Sequence, residues 1–209
     1  MATGLKLTLQ RIWWRHQARH PALQALLREP IQQRPFNASR YVVIDLETTA
    51  LQPTAGEIAS IAWVVIEQGA IHLNQSCYFH LALNREVGQS AVFHQLTDTD
   101  LEQGVNIKVA LEALLDALPN SILVFHNAQL DMGFINQAMR TRWGAPIQMP
   151  VVDTQQVERK RQLQRSAAIQ AGDLRLFKCR QRYGLPDVSL HDALGDALAT
   201  AELWLAMNG

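Results

Sequence analysis

The chain has 209 residues, 48% of them hydrophobic, and a formal net charge of zero because 19 basic residues balance 19 acidic ones. This composition fits one well-packed globular domain, and it excludes a disordered chain or a strongly charged, polyanion-seeking one. Cys77 and Cys179 form no CxxC arrangement, which argues against a thiolate metal site and for a reducing compartment, so we expect a cytoplasmic protein. No apolar run approaches the roughly 20 residues that cross a bilayer, and we therefore expect no membrane partner.

The first 40 residues form a basic segment, with seven basic residues against one acidic residue, Glu29. Trp13 and Trp14 lie among these arginines, which permits two interpretations. The segment could contact the backbone and bases of a nucleic acid, or it could pack its tryptophans on the rest of the protein. We expect packing, because adjacent tryptophans are more often partly buried than exposed. The sequence therefore predicts a helical arm over residues 1–40 and a main domain over residues 41–209.

The segment Tyr41–Ala50, YVVIDLETTA, predicts a buried strand that runs directly into two acids. Side chains alternate along a strand, so Asp45 and Glu47 should point the same way. Two neighbouring carboxylates repel each other and are costly to desolvate unless a cation lies between them. The pair is therefore interpreted as half of a metal site, with an ordinary acidic turn as the alternative.

The other predicted elements indicate an α/β protein, in which a mixed sheet is flanked by helices. Before residue 81 the sequence predicts helices over residues 5–18 and 22–29 and, after the first strand, a strand pair over residues 57–66 and 71–80 with a turn at Gln68 and Gly69. It then predicts a short helix capped by Asp98, a helix over residues 105–118, a strand over residues 121–125 and a helix over residues 132–143. The last predicted elements are a strand at residues 151–152, a helix over residues 174–183, and a helix that runs from a capping box at Ser189 and Asp192 through Leu205.

Four acids, Asp45, Glu47, Asp131 and Asp196, are expected to converge, because each lies at a strand end or on a helix that covers the sheet. A set of carboxylates without cysteine suits hard cations, and Mg²⁺ or Mn²⁺ fits better than Zn²⁺. Two such ions could hold an attacking water and a leaving oxygen for in-line attack on phosphorus. His191 is then the candidate general base that takes the proton from that water, since a histidine is mostly neutral at physiological pH.

Three motifs carry a family resemblance: DLETT at residues 45–49, HNAQLD at residues 126–131 and HDALGD at residues 191–196. In this order and spacing they resemble the DEDD exonucleases of the histidine subtype, the 3′–5′ exonucleases similar to the epsilon subunit of DNA polymerase III. The resemblance covers residues 41–206 and implies a ribonuclease-H-like fold. It also implies a set of functional residues, which comprises the metal ligands Asp45, Glu47, Asp131 and Asp196, the general base His191, and the substrate contacts Thr48, Thr49, His126 and Asn127.

By this resemblance the chain is expected to hydrolyse phosphodiester bonds at the 3′ end of single-stranded nucleic acid, with DNA favoured, and to release nucleoside 5′-monophosphates. The alternatives are an exoribonuclease that trims RNA and a catalytically silent module that grips nucleic-acid ends. A haloacid-dehalogenase-like phosphatase also opens with a strand and an acidic motif, but that class places aspartate where this chain has Glu47 and gives the HDALGD segment no role. Replicative subunits of the family dock their polymerase through a carboxyl-terminal extension, and since the sequence ends at Gly209 we do not expect that docking.

A second basic run comprises Arg159, Lys160, Arg161 and Arg165. It is interpreted either as the solvated face of a helix or as a surface that contacts substrate phosphates beside the acidic site. Solvated helix faces account for most such runs, so the phosphate contacts are a hypothesis that salt dependence would test.

Overall fold

The computed structural model describes residues 2–31, 34–83, 104–165, 168–188 and 192–209. The predicted helix cap at Asp98 lies outside these residues, as do Ser189 and His191 of the last predicted helix. Within the described residues, no helix combines the length and the apolar character needed to pass through a membrane.

Seven α-helices and five strands are found in the described part of the chain. In chain order these are α1 (Ala2–Gln17), α2 (Pro21–Arg28), β1 (Arg40–Thr48), β2 (Ile58–Glu67), β3 (Ala70–His80), α3 (Ile107–Ala117), β4 (Ser121–Phe125), α4 (Ala128–Trp143), β5 (Val151–Asp153), α5 (Thr154–Gln164), α6 (Leu176–Arg182) and α7 (Ala193–Ala206), with a single 3₁₀ turn at Phe36–Ala38 before β1.

The five strands form one mixed sheet in the order β3, β2, β1, β4, β5. Strand β1 pairs antiparallel with β2 and parallel with β4, while β3 and β5 form the two edges. Helices pack on both faces of this sheet, which confirms the predicted α/β architecture. Because β1 lies at the centre and is covered on both faces, its apolar residues form a continuous run rather than an alternating pattern.

The residues of β1 alternate between two hydrophobic cores, one on each face of the sheet. Ile44 belongs to the core formed with α2, α3 and α4, whereas Val43 belongs to the core formed with α6 and α7. Asp45 and Glu47 continue the row of Val43, so their side chains point to the face that α7 covers. The alternation thus directs both acids toward the helix that carries Asp196.

The two helices that carry the predicted ligands Asp131 and Asp196 begin at positions other than those predicted. Helix α4 begins at Ala128 rather than at residue 132, so Asp131 lies inside its first turn. Helix α7 begins at Ala193, and Asp192 is its N-cap, since the Asp192 carboxylate accepts a hydrogen bond from the Gly195 backbone N–H at 3.1 Å. The helix start predicted at Ser189 is therefore wrong, because the backbone of Asp192 is extended and the cap lies there.

The basic amino-terminal arm is joined to the rest of the protein by buried contacts. Leu23, Leu26 and Leu27 of α2 lie in the same core as α3 and α4. The Arg11 guanidinium of α1 is buried and donates to the carbonyl oxygens of Leu26, Leu27 and Glu29 at the end of α2. These contacts place α1 against α2, while the division of the chain into arm and domain stays a prediction.

The two adjacent tryptophans of α1 have different surroundings. Trp14 packs against the core, and the Arg140 guanidinium of α4 lies over its ring at 5.7 Å. Trp13 contacts the edge of Trp14 but is 57% exposed. The expectation that both tryptophans pack on the domain is therefore right for Trp14 and wrong for Trp13, because only the Trp14 ring reaches the core and Trp13 packs on that ring.

Candidate active site

Three carboxylates meet at the carboxyl-terminal end of β1. Asp45 and Glu47 of β1 and Asp196 in the first turn of α7 each offer one oxygen, and these oxygens lie within 4.8 Å of one another. All three side chains belong to half-buried residues. A donor set made of carboxylate oxygens fits a divalent cation that prefers oxygen ligands. The structure thus brings together three of the four acids that the sequence predicts as metal ligands.

Asp131, the fourth predicted ligand, approaches from the other face of the sheet. It lies in the first turn of α4 and is only 4% exposed. The backbone of Leu46 forms a hydrogen bond with its carboxylate. The contact is possible because β4 pairs with β1 only as far as Val43, so α4 can approach the last residues of β1 along that edge. Asp131 therefore lies beside Asp45, although it is outside the group of three.

Burial and the charges of neighbouring acids raise the pKa values of two of these acids, Asp45 and Asp131. The pKa of Asp45 is raised well above its usual value, first by burial and then by the charges of Asp131, Asp196, Glu47 and Asp192. Burial raises the pKa of Asp131 to about 7, although hydrogen bonds from the backbone oppose this rise. A bound divalent cation favours the charged forms and offsets the repulsion. The electrostatics therefore agree with a site for a cation.

The raised pKa of Asp131 predicts that this acid destabilises the metal-free protein at alkaline pH. The folded protein holds the proton up to about pH 7, whereas an unfolded aspartate loses it near 3.8, so stability falls as pH rises between these two values. We expect Asp131→Asn to raise the melting temperature at pH 8 by several degrees, on the order of 3 °C or more, and to change it little at pH 4. Thermal unfolding in chelator at both pH values measures this.

The matched control for that measurement is Asp116→Asn, at an exposed position on α3. This substitution removes the same charge away from the other acids, so it should leave the melting temperature nearly unchanged at both pH values. If the metal-free Asp131→Asn protein melted at the wild-type temperature at pH 8, the idea that the apo site is strained by repulsion and burial would be wrong.

Thr48 and Thr49, two of the predicted substrate contacts, lie where β1 runs into the β1–β2 loop. The Thr48 hydroxyl donates to the Ala50 carbonyl oxygen at 2.9 Å, and the Thr49 hydroxyl accepts the Glu57 backbone N–H at 2.8 Å. At Gly56 a Cβ would lie 2.7 Å from the Cβ of Ala50, so this close approach needs glycine. These contacts close the loop beside the acids, and binding of substrate by either threonine stays a prediction.

His126 and Asn127, the other predicted substrate contacts, connect β4 to α4. The His126 Nδ1 lies 2.8 Å from the Thr154 Oγ1, and its Nε2 lies 2.8 Å from the Leu174 carbonyl oxygen. Burial lowers the pKa of His126, so the ring is neutral and Nε2 carries the hydrogen, because a carbonyl can only accept. Both ring nitrogens are therefore engaged within the protein. The Asn127 residue is exposed, and the role of either residue toward substrate stays a prediction.

Two further acids lie near the site, although sequence reasoning did not assign them to it. Asp192 caps α7, and its charge contributes to the raised pKa of Asp45. Asp153 caps α5, and its charge contributes to the raised pKa of Asp131. Both acids lie directly before a helix, a position typical of an N-cap, and this position was the feature of the sequence that could have identified them. His191, next to Asp192 in the sequence, lies outside the described residues, and its place in the site stays a prediction.

A cavity of about 300 Å³ opens between the β1–β2 loop and α4. Pro53 and Glu57 of the loop line one side, and Phe134, Gln137 and Arg142 of α4 line the other. The Gln137 side-chain amide donates to the Pro53 carbonyl oxygen at 2.7 Å, which ties the loop to the helix. The volume of the cavity and its mixture of apolar and polar lining residues are typical of a ligand-binding cleft.

The sequence profile of the exonuclease (RNase_T) family matches residues 42–204. This span contains the three motifs and all four predicted acidic ligands. The chain belongs to this family. Membership confirms the resemblance noted in the sequence, and the acidic group at the end of β1 lies inside the matched region.

Named relatives support the assignment to this exonuclease family. The chain is 27% identical over 185 residues to the DNA polymerase III epsilon subunit of Buchnera aphidicola, covering 83% of this chain and 75% of that protein. It is 28% identical over 184 residues to the PolC-type DNA polymerase III of Thermotoga petrophila, covering 88% of this chain. It spans only 13% of the length of that polymerase.

Solved structures of exonucleases share the fold. A zinc-bound complex of E. coli exonuclease I with single-stranded DNA superposes with a TM-score of 0.68 at 17% identity, covering 81% of this chain and 40% of that one. Cell-death related nuclease 4 superposes with a TM-score of 0.63 at 18% identity, covering 82% of this chain and 64% of that one. At this identity the similarity concerns the fold alone, and it confirms the predicted ribonuclease-H-like architecture.

Proposed function

We propose that this exonuclease-family protein is a metal-dependent 3′–5′ exonuclease that removes nucleoside 5′-monophosphates from the 3′ end of single-stranded nucleic acid, with DNA favoured. The observation that carries the proposal is the group of three carboxylates, Asp45, Glu47 and Asp196, with oxygens within 4.8 Å of one another. Such a group is costly in a folded protein unless it binds a cation, and cations at carboxylates are the usual means of activating water toward phosphorus.

Four acids hold the divalent cations in this proposal: Asp45, Glu47, Asp131 and Asp196. Two ions, Mg²⁺ or Mn²⁺, would supply positive charge that makes a water molecule more acidic and stabilises the departing oxygen. Asp45 belongs to a rigid central strand, and Asp131 is held by the backbone of the neighbouring Leu46. Fixed carboxylates of this kind lower the reorganisation needed during the reaction.

His191 accepts the proton of the attacking water. Its sequence neighbour Asp192 lies close enough to the site to affect the pKa of Asp45, which supports a position of the histidine near the reacting atoms. The loop closed by Thr48 and Thr49 would receive the terminal nucleotide, and the cavity between that loop and α4 offers room for the strand that follows. A general base within reach of the water contributes to the rate without binding the metal itself.

The preference for single-stranded DNA is supported by similarity of fold to E. coli exonuclease I, which has been solved with single-stranded DNA bound. RNA is the alternative substrate, because discrimination depends on contacts to the ribose 2′-hydroxyl. A module that grips nucleic-acid ends without cleaving them is the second alternative.

One assay tests the proposal against both alternatives. The purified protein is incubated with 5′-labelled single-stranded DNA, single-stranded RNA and duplex DNA, with Mg²⁺ or Mn²⁺ and in chelator. We expect a ladder that shortens from the 3′ end of single-stranded DNA and that disappears in chelator. A ladder on RNA alone would favour the exoribonuclease, and tight binding of single strands with no cleavage under any metal would favour the silent module.

The basic run on α5 divides into one internally bound arginine and three exposed side chains. The Arg161 guanidinium donates to the Tyr183 hydroxyl and to the Met207 carbonyl oxygen, each at 2.8 Å. Arg159, Lys160 and Arg165 are exposed. The proposal of phosphate contacts at this run therefore rests on the three exposed residues, since both terminal nitrogens of Arg161 donate to groups within the protein.

Neutralising two exposed residues of this run should weaken the salt dependence of binding. In the double variant Arg159→Gln and Lys160→Gln, the slope of log affinity against log salt for single-stranded DNA should become shallower by roughly 1.4, since each phosphate contact contributes about 0.7. The value of kcat should stay close to that of the wild type, because the acids are untouched. Fluorescence titrations with a non-cleavable oligonucleotide at several salt concentrations measure the slope.

The control is the double variant Lys6→Gln and Arg28→Gln, which removes the same charge from exposed positions of the arm. Point substitutions are preferable to deletion of residues 1–36, because deletion would remove Leu23, Leu26 and Leu27 from the core. We expect the control to keep the wild-type slope. A shallower slope in the control and a wild-type slope in the α5 variant would move the contact to the arm.

A further inference from the structure

We propose that Asp153 is a positioning residue, which fixes Asp131 in the acidic site by holding the amino termini of α4 and α5 together. This inference rests on the proposed function, because Asp131 is one of the four acids that would hold the metal. It is carried by backbone geometry at the junction of β4, β5 and the two helices that follow them.

Both oxygens of the Asp153 carboxylate accept backbone N–H groups, and these groups come from two helices. Oδ1 accepts from Gln155 at 2.9 Å and from Gln156 at 3.3 Å, which caps α5 in the usual way. Oδ1 also accepts from Asn127 at 3.1 Å, and Oδ2 accepts from Ala128 at 3.2 Å. The last two bonds connect residues 25 and 26 positions apart in the chain, and capping of α5 does not require them.

The start of α4 depends on these bonds for its shape. Asn127 has a left-handed backbone with φ of 76°, a conformation that is unfavourable for residues other than glycine. Its own side chain does not cap the helix. The first N–H groups of a helix have no partner within it, so Asp153 supplies what the local sequence lacks. The carboxylate therefore holds the turn from which α4 begins.

A displacement of this turn would be transmitted to the acidic site. Asp131 lies three residues after Ala128, within the same first helical turn, and its buried carboxylate contacts the backbone of Leu46. A helical turn is rigid, so a shift of Ala128 moves Asp131 with it. Asp153 itself uses both oxygens on backbone amides, which argues for a positioning role rather than a role as a fifth ligand.

Strand pairing and hydrogen bonds fix the residues around the starts of α4 and α5. Strand β5 pairs in parallel with β4, and Asp153 lies opposite Phe125 in that register. The Thr154 hydroxyl and the neutral His126 ring are in hydrogen-bond contact at 2.8 Å, and His126 is bound in turn to the Leu174 carbonyl. Two separate segments, the β5–α5 junction and the loop at Leu174, therefore contact the residues that precede α4, and Asp153 bonds the backbone at the start of α4 directly.

Two substitutions separate positioning from simple capping. In Asp153→Asn, the amide oxygen can replace Oδ1, but the amide nitrogen then faces the Ala128 N–H, so two donors oppose each other. In Asp153→Ser, the shorter hydroxyl can still cap α5 but cannot reach both amides of α4. The second variant keeps the test informative where the first one folds poorly.

The measurement is the rise in melting temperature that Mn²⁺ causes in the absence of substrate, followed over a range of Mn²⁺ concentrations. We expect both variants to need about 10- to 100-fold more Mn²⁺ than the wild type for half of that rise, the usual effect of losing a group that orients a metal ligand. In the exonuclease assay, the Mn²⁺ concentration for half-maximal rate should increase in parallel.

The control for lost stability is Ser39→Ala, since the Ser39 hydroxyl is buried and donates to the carbonyl oxygens of Arg34 and Pro35 at the opposite end of β1. It should lower the melting temperature but leave the Mn²⁺ midpoint at the wild-type value. Wild-type midpoints in both Asp153 variants, with lowered melting temperatures alone, would overturn the proposal. A wild-type protein that responds to Mn²⁺ but does not cleave nucleic acid would refute the proposed function and leave the inference intact, whereas no response to Mn²⁺ would overturn both.

Discussion

The Asp45→Asn variant is expected to lose at least about 10³-fold in the rate of phosphodiester cleavage, more than the 10²- to 10³-fold contributed by one hydrogen bond to a developing charge. Asp45 belongs to the group of three close carboxylates, and its pKa is raised by the charges of Asp131, Asp196 and Glu47 as well as by burial. An amide in its place removes a charged ligand from the centre of that group. Single-turnover cleavage of labelled single-stranded DNA measures the loss.

The Asp45→Asn variant should remain folded, because it removes a repelled, buried charge and keeps the size of the side chain. Its melting temperature in chelator should equal or exceed that of the wild type. Asp116→Asn, at its exposed position on α3, is again the control and should cleave at the wild-type rate. Wild-type activity of the Asp45→Asn protein, or full activity of the native protein in chelator, would contradict the metal-dependent mechanism.

His191→Ala is expected to lower the cleavage rate by about 10²- to 10⁴-fold, which is the usual contribution of a general base. The residue would take a proton from the attacking water and would not bind the metal. The Mn²⁺ dependence of the melting temperature should therefore stay close to that of the wild type. The rate of the native protein should rise with pH through the ordinary range of histidine titration, roughly pH 6 to 7, and this rise should disappear in the variant.

A histidine elsewhere in the chain provides the comparison for this measurement. His16 is exposed on α1, and His16→Ala should retain both the native rate and the native pH profile. If His191→Ala cleaved at the wild-type rate, the base would have to be another group. If it lost the response to Mn²⁺ together with its activity, His191 would belong to the binding of the metal.

Several features of the site could be predicted from short stretches of the sequence. Strand alternation directed Asp45 and Glu47 to one side, and the structure places their oxygens in one group with that of Asp196. The interruption of apolar periodicity by prolines and glycines bounded most helices to within a few residues. These features depend on local backbone geometry, which a short stretch of sequence specifies.

Helix starts show where local patterns fall short. Asp192 caps α7, and α4 starts at Ala128, four residues before its predicted start. The second difference arises because the first turn of α4 is held by Asp153, a residue 25 positions later than Ala128. A cap supplied by a distant segment leaves no signal in the sequence next to the helix, so the pattern there underestimates its length.

The sequence by itself determined the family, the order of the three motifs and the direction of the two acids on β1, because these depend on residue identity and on spacing along the chain. Only the tertiary structure decided that Asp131 could reach the end of β1, since the pairing of β1 with β4 stops at Val43 and α4 approaches there. It also decided that Arg161 bonds within the protein and that Trp13 faces solvent. Contacts of this kind depend on which distant segments meet, and the order of strands in a sheet and the extent of their pairing are set by the packing of the whole chain.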